Sequence, residues 1–307
     1  MSTTNTEANA EAAPSNVPSL AQTHMQGPLE VNGSGKALTK DELEQVKEKL
    51  KALKLERGLK EPVRSFMDDT KTKWRFGGPP DYSLTNYLYL QQRTKVHKEG
   101  SLEQVVENLV KTWEMERSHK LDYTEHKSVD QKNFRISANG GKIYNNKEAN
   151  QVGNYNVLLD ACPAKLWDKA NISWEKSHDM FHTAFAAFPW EVLEVFSPPP
   201  KVAFTWRHWG NFTGTFEKNQ GNGQLVEMFG FGTATVNSKL QLCDVEIFYN
   251  AEEFINVLRG TKKVDEVNQH WAKAASGGGC PFLHKATSSE KNDPKEEQKQ
   301  KKGYVAA

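Results

Sequence analysis

Across 307 residues, 40 Lys and Arg stand against 39 Asp and Glu, a formal net charge of +1. That balance gives no long-range field to gather nucleic acid or an anionic membrane surface, and no apolar run is long enough to span a bilayer. Three cysteines, Cys162, Cys243 and Cys280, at unrelated spacings fit reduced thiols better than a disulfide framework.

The N-terminus lacks the basic-then-apolar order of a secretory leader, so the expected compartment is the cytoplasm. Residues 1–36 are Ser, Thr, Asn, Ala, Pro and Gly with hardly an aromatic, a composition that cannot bury enough apolar surface to offset ordering its backbone. They are expected to form a disordered tail. Residues 37–73 read as a charged helix and linker: Leu43, Val46, Leu50 and Leu53 recur at helical spacing after a capping Thr39, and the helix is expected to be solvated or only loosely attached. The folded domain is expected over residues 74–273, starting at the aromatic Gly/Pro loop Trp74–Tyr82, with a second disordered, charged tail over residues 274–307.

Ser101 and Gln104 form a capping-box pattern, and Leu102, Val105, Val106, Leu109 and Trp113 then share a face, which predicts a helix from Leu102 to about Lys120. Glu116 and Lys120 extend that stripe. It therefore ends in an ion pair, opens onto something polar, or reaches water. Phe134–Ser137, Asn139-Gly140-Gly141 and Ile143-Tyr144 read as a short glycine-turned hairpin, followed by a helical stretch from about Asn146. Trp174, His178, Phe181, Phe185 and Phe188 step by three and four residues, predicting an amphipathic helix that Pro189 ends. The period then changes to two. Strands are predicted over Trp190–Phe196, Val202–Trp209, Leu225–Val236 and Leu240–Tyr249, an antiparallel meander in an α+β fold.

Several residues could carry chemistry. On the second of these strands Phe204, Trp206 and His208 share one face while Arg207 lies on the other, a mixture suited to a ligand cavity lined by aromatics and a few placed polar groups. His178, among aromatics, is the candidate for acid–base work, against the plainer reading of a satisfied core histidine. Asp244 and Glu246 either face solvent or place a carboxylate in an apolar pocket, where its pKa would rise and make it a useful base. His178 and His182 have no third ligand in view, so no metal is expected. His182 also falls off the inner stripe. Gly277-Gly278-Gly279 lacks the Lys-Ser or Lys-Thr of a phosphate loop, and neither a Gly-x-Ser-x-Gly elbow nor a paired CxxC occurs. Cys280-Pro281 reads as a free thiol in a tail rather than a haem motif, so no cofactor is expected.

The blocks Trp74-Arg75 with Gly77-Gly78-Pro79-Pro80, Lys111-Thr112-Trp113-Glu114-Met115-Glu116, Phe134-Arg135, Ser177-His178-Asp179, Trp190-Glu191-Val192 and Arg207-His208-Trp209-Gly210 occur in the order found in plant pathogen-related proteins. From Trp74 to Gly260 the chain resembles that family, a SnoaL-like branch of the nuclear transport factor 2-like superfamily. The resemblance implies a cone-shaped domain in which helices close a curved antiparallel sheet over a pocket. In polyketide cyclase members of the group an acidic base drives a ring closure without metal or cofactor. Here Trp190 and Asn250 stand where those acids are expected, so Asp244, Glu246 or His178 would have to substitute.

The function expected from these readings is binding of a small apolar molecule by Trp113, Glu116, Trp174, Phe181, Trp206, Arg207 and His208, with acid–base chemistry at His178, Glu246 or Asp244. His208 or Arg207 would then stabilise an enolate oxygen. The alternative is a non-catalytic, dimeric interaction protein of defence or stress responses that uses the sheet as its homodimer surface.

Overall fold

The computed structural model describes residues 38–263. The two tails expected at residues 1–36 and 274–307, and with them Cys280-Pro281, lie outside the described residues. The chain divides into two compact units, Met1–Arg259 and Gly260–Ala307. Every element below belongs to the first; of the second, residues 260–263 are described, a turn that opens on Gly260 at φ 73°.

Helix α1, Lys40–Arg57, begins where Thr39 and Glu42 cap each other reciprocally and stops at Gly58, whose φ of 62° is left-handed. It is not loosely attached. Leu43, Leu50 and Leu53 are buried, and Leu50 and Leu53 pack with Tyr89, Leu90 and Trp209. The partner they find is α2, Ser83–Gln92, a helix without a side-chain cap that the sequence pattern does not announce.

Helix α3, Leu102–His119, matches its predicted span, although only half of the capping box forms. Ser101 Oγ accepts from Gln104 N, while Gln104 Oε1 takes the Gly100 N–H instead. The hairpin is β1, Arg135–Ala138, with β2, Tyr144–Asn145, turning through Asn139 and Gly140 at positive φ. Short helices α4, Asn146–Val152, and α5, Asn154–Leu158, follow.

Helix α6 runs Trp174–Ala184 from a Ser173 cap. It ends a turn before Pro189 because Phe185 turns extended and bridges to Phe212, so Phe185 and Phe188 reach inward from a loop and not from the helix.

Strands β3, Trp190–Val195, β4, Lys201–Phe212, β7, Gln224–Val236, and β8, Leu242–Tyr249, form the predicted meander, with a small β5–β6 pair, Thr215–Phe216 and Asn219–Gln220, beside it. Their order in the six-stranded sheet is β2-β1-β8-β7-β4-β3. All neighbours are antiparallel except β1 and β8, which run parallel. Helix α7, Ala251–Leu258, closes the unit from an Asn250 cap. The result is an α+β fold.

One glycine in the sheet has a packing reason. A Cβ on Gly230 would sit 2.2 Å from Trp206 Cζ2 and 2.6 Å from the Phe248 carbonyl oxygen, so only glycine lets the indole lie against β7.

Candidate functional site

Between the sheet and its helices lies a cavity of about 290 Å³, near the lower end of the range for small-molecule sites. Its floor is the inner face of the sheet, with Phe204, Trp206 and His208 from β4, Met228 and Ala234 from β7, and Val245, Ile247 and Tyr249 from β8. Its roof comes from α3 through Trp113 and Arg117, α5 through Tyr155 and Leu158, and α6 through Trp174, His178 and Phe181. The i, i+4, i+7 spacing of the last three puts them on one helical face. Ring contacts run through the wall: Tyr155 stacks on Phe181 at 3.9 Å between centroids, and Phe188 on His208 at 3.8 Å. The loop bearing Phe76 and Pro80 covers the side near His178, which is 6% exposed. His178 stacks on Trp174 at 4.9 Å and on His182 at 3.9 Å, so His182 lines the cavity too, against the sequence reading.

His208 has a fixed tautomer. Its Nδ1 lies 2.9 Å from the Pro189 carbonyl oxygen, an acceptor only, so Nδ1 carries the proton and Nε2 carries a lone pair. Burial, with Lys111 nearby, pushes its pKa down to about 3, so the ring is neutral at pH 7. His208 can therefore accept a hydrogen bond in the cavity, but it cannot donate one to an enolate oxygen.

Cationic side chains line the wall as well: Arg64, Lys111 and Arg117. Lys111 donates from Nζ to the Trp190 carbonyl and lies 4.1 Å from the Tyr89 ring centroid; burial lowers its pKa to about 8, opposed by Glu107, Glu114 and Glu191. Arg117 donates from Nη2 to the Ala149 carbonyl at 3.1 Å. None was singled out from the sequence as a site residue. Arg117 follows Trp113 by one helical turn, and that spacing was the available clue.

Four predicted site residues do not face the cavity. Arg207 lies on the opposite face of β4, where Nη1 bonds Glu191 Oε1 at 2.9 Å, Nε bonds Glu227 Oε1 at 2.6 Å, and the guanidinium rests 4.1 Å from the Trp209 ring centroid. Around Trp209 that face is covered by α1 and α2, so a buried charge there needs carboxylate partners. Glu116 is wholly buried in an ion pair with Lys120. Asp244 and Glu246 are exposed, on the face of β8 away from inward Val245, Ile247 and Tyr249. The structure thus brings Trp113, Trp174, His178, Phe181, Trp206 and His208 together and leaves those four outside.

The chain is 37% identical over 232 residues to a pathogen-related protein of Hordeum vulgare, a match spanning 73% of this chain and 95% of that protein. The chain belongs to the pathogen-related protein family. No family model matches it. Among solved structures, this member of the family is similar to a putative SnoaL-like polyketide cyclase from Jannaschia sp. CCS1, at 11% identity and a TM-score of 0.27 over 53% of this chain and 97% of that one. It is also similar to a putative polyketide cyclase from Acidithiobacillus ferrooxidans, at 9% identity and a TM-score of 0.33 over 54% of this chain and 100% of that one. Among the described residues no helix is long and apolar enough to cross a membrane.

Proposed function

We propose that this protein binds a small, largely apolar, aromatic molecule in the cavity between α3, α6 and the sheet. The carrying observation is the wall itself: Trp113, Trp174, Phe181 and Trp206 present aromatic surface around about 290 Å³, with polar groups such as Lys111, Arg117, His178 and His208 set among them. Binding is favoured over enolate chemistry for a geometric reason. Arg207 faces away, His208 has its only proton on Pro189, and neither Asp244 nor Glu246 reaches the interior. If a proton transfer accompanies binding, His178 is the inward group that would perform it.

The test is titration with the neutral fluorophore N-phenyl-1-naphthylamine. We expect saturable enhancement at one site, and loss of at least tenfold in affinity in Ala234→Trp, which fills the floor at an overpacking cost of about 1–3 kcal/mol. Unchanged binding in a folded Ala234→Trp variant would place the probe elsewhere and sink the proposal.

A second reading, homodimerisation through the sheet, has one specific observation behind it. Phe231 and Phe248, direct partners across β7 and β8, are 38% and 40% exposed on the face away from the cavity. On this reading sedimentation equilibrium gives a dimer that Phe231→Glu converts to monomer. A monomeric parent protein at tens of micromolar would remove the reading.

A further inference from the structure

Arg117 is a buried cation in the cavity wall. It is 4% exposed, and among the described residues its side chain makes a single hydrogen bond, from Nη2 to the Ala149 carbonyl. Among the described residues its Nε has no hydrogen-bond partner and the side chain enters no ion pair. One turn earlier on α3, the buried Trp113 Nε1–H is also without a hydrogen-bond partner among the described residues, and the Arg117 guanidinium carbon lies 5.3 Å from the Trp113 ring centroid. Both residues line the same cavity.

Lys111 supplies the contrast. It too is a buried cation in this wall, but it has Glu107, Glu114 and Glu191 as compensating carboxylates and a backbone carbonyl on its ammonium. Nothing comparable acts on Arg117, where burial alone lowers the pKa, to about 10, which leaves the group charged at neutral pH. The carboxylate that does line the cavity, Glu114, is exposed and already accepts from Tyr82 and Ser118 hydroxyls. A buried charge without a counter-ion is costly, and proteins retain one where something else supplies the partner.

We propose that the cavity's ligand is an aromatic monoanion, a carboxylate for which Arg117 is the counter-ion and Trp113 Nε1–H a second donor, with the ligand's rings against the aromatic wall. This rests on the cavity-binding reading above. Arg is suited to the task because its fork of N–H donors matches a carboxylate.

The experiment is displacement of N-phenyl-1-naphthylamine at pH 7.5 by two competitors of nearly equal shape, 1-naphthoate and neutral 1-naphthamide. We expect naphthoate to displace the probe about tenfold or more better, the scale of a hydrogen bond to a charged group, and Arg117→Met to bring the two within about twofold while the probe still binds. Arg117→Lys, which keeps the charge but loses the fork, should retain part of the preference. Equal displacement by the two competitors on the unaltered protein overturns the anion assignment and leaves the cavity reading standing. A preference that survives Arg117→Met overturns the role of Arg117. Failure of the fluorophore to bind the unaltered protein overturns the cavity reading, and this proposal with it.

Discussion

Glu116→Ala lowers the free energy of unfolding by about 3–5 kcal/mol, the range for removing one partner of a buried ion pair, as read from urea denaturation. Glu116 and Lys120 are both 0% exposed at their side chains and meet at 2.9 Å. The same carboxylate accepts the Lys127 N–H at 2.8 Å, the Ser128 N–H at 2.9 Å and the Ser128 hydroxyl at 2.5 Å. It therefore fastens the end of α3 to the segment that leads into β1. Alanine would strand the Lys120 ammonium with one remaining acceptor, the Glu125 carbonyl at 3.3 Å, in a site it cannot leave for water. The double variant Glu116→Leu with Lys120→Met should recover much of the loss, because removing both charges removes the uncompensated one. Binding of N-phenyl-1-naphthylamine should be unchanged in whatever fraction stays folded, since Glu116 does not touch the cavity. A fall below about 1 kcal/mol, or lost binding with stability intact, would instead return Glu116 to the ligand site.

The fate of Glu116 and Arg207 explains what could be read from the sequence and what could not. Alternation placed β3, β4, β7 and β8 to within three residues, because a strand's period of two is a local property. It also separated the faces of β4 correctly, with Phe204, Trp206 and His208 on one side and Arg207 on the other. What alternation does not contain is what covers each face. The second face of β4 is buried because α1 and α2 lie over Trp209, through Leu50, Leu53, Tyr89 and Leu90. The charged surface of α1 resembles that of a solvated helix, and α2 has no cap to mark it. Without that cover in view, a polar group on a mixed strand reads as a ligand contact. Its partners were in fact Glu191 and Glu227, 16 and 20 residues away in sequence. A similar difficulty arose on α3. Thr112, Met115, Glu116 and Arg117 are all buried, so the helix has no single inner stripe, and the cavity takes Trp113 and Arg117 while Glu116 turns to Lys120. Asp244 and Glu246 met the opposite fate: their face of β8 remained open to solvent.

Acidification from pH 7 to pH 4 should cost on the order of 5 kcal/mol of stability, at about 1.4 kcal/mol per unit of pKa difference between folded and unfolded states. Two histidines set the window. Burial is the main cause for both, depressing His126 to about 4 and His208 to about 3. Around His126 the Glu116 carboxylate opposes this shift while Arg117 and Lys120 reinforce it. Because the folded pKa values lie below the unfolded value near 6.5, the unfolded chain binds protons that the folded chain refuses. The stabilisation is therefore complete above about pH 6.5 and is lost as pH falls toward the folded values. Asp160, whose pKa is lowered by Lys169, Tyr144 and the Lys142 N–H against an opposing burial effect, adds its own loss only below its ordinary value of 3.8, outside this window. His208→Phe should flatten the slope between pH 6 and 4 by about half, keeping a ring to stack on Phe188 while the Pro189 carbonyl still accepts the Trp209 N–H at 3.0 Å. A pH-independent stability over this range would show that these rings take up protons in the folded state as readily as in the unfolded chain, and an unaltered slope in His208→Phe would show the same of His208. The same titration bears on function. Protonation would turn His208 Nε2 from an acceptor into a donor and add a positive charge near Lys111 to a wall that already holds Arg117, so affinity for a neutral probe should fall along with stability.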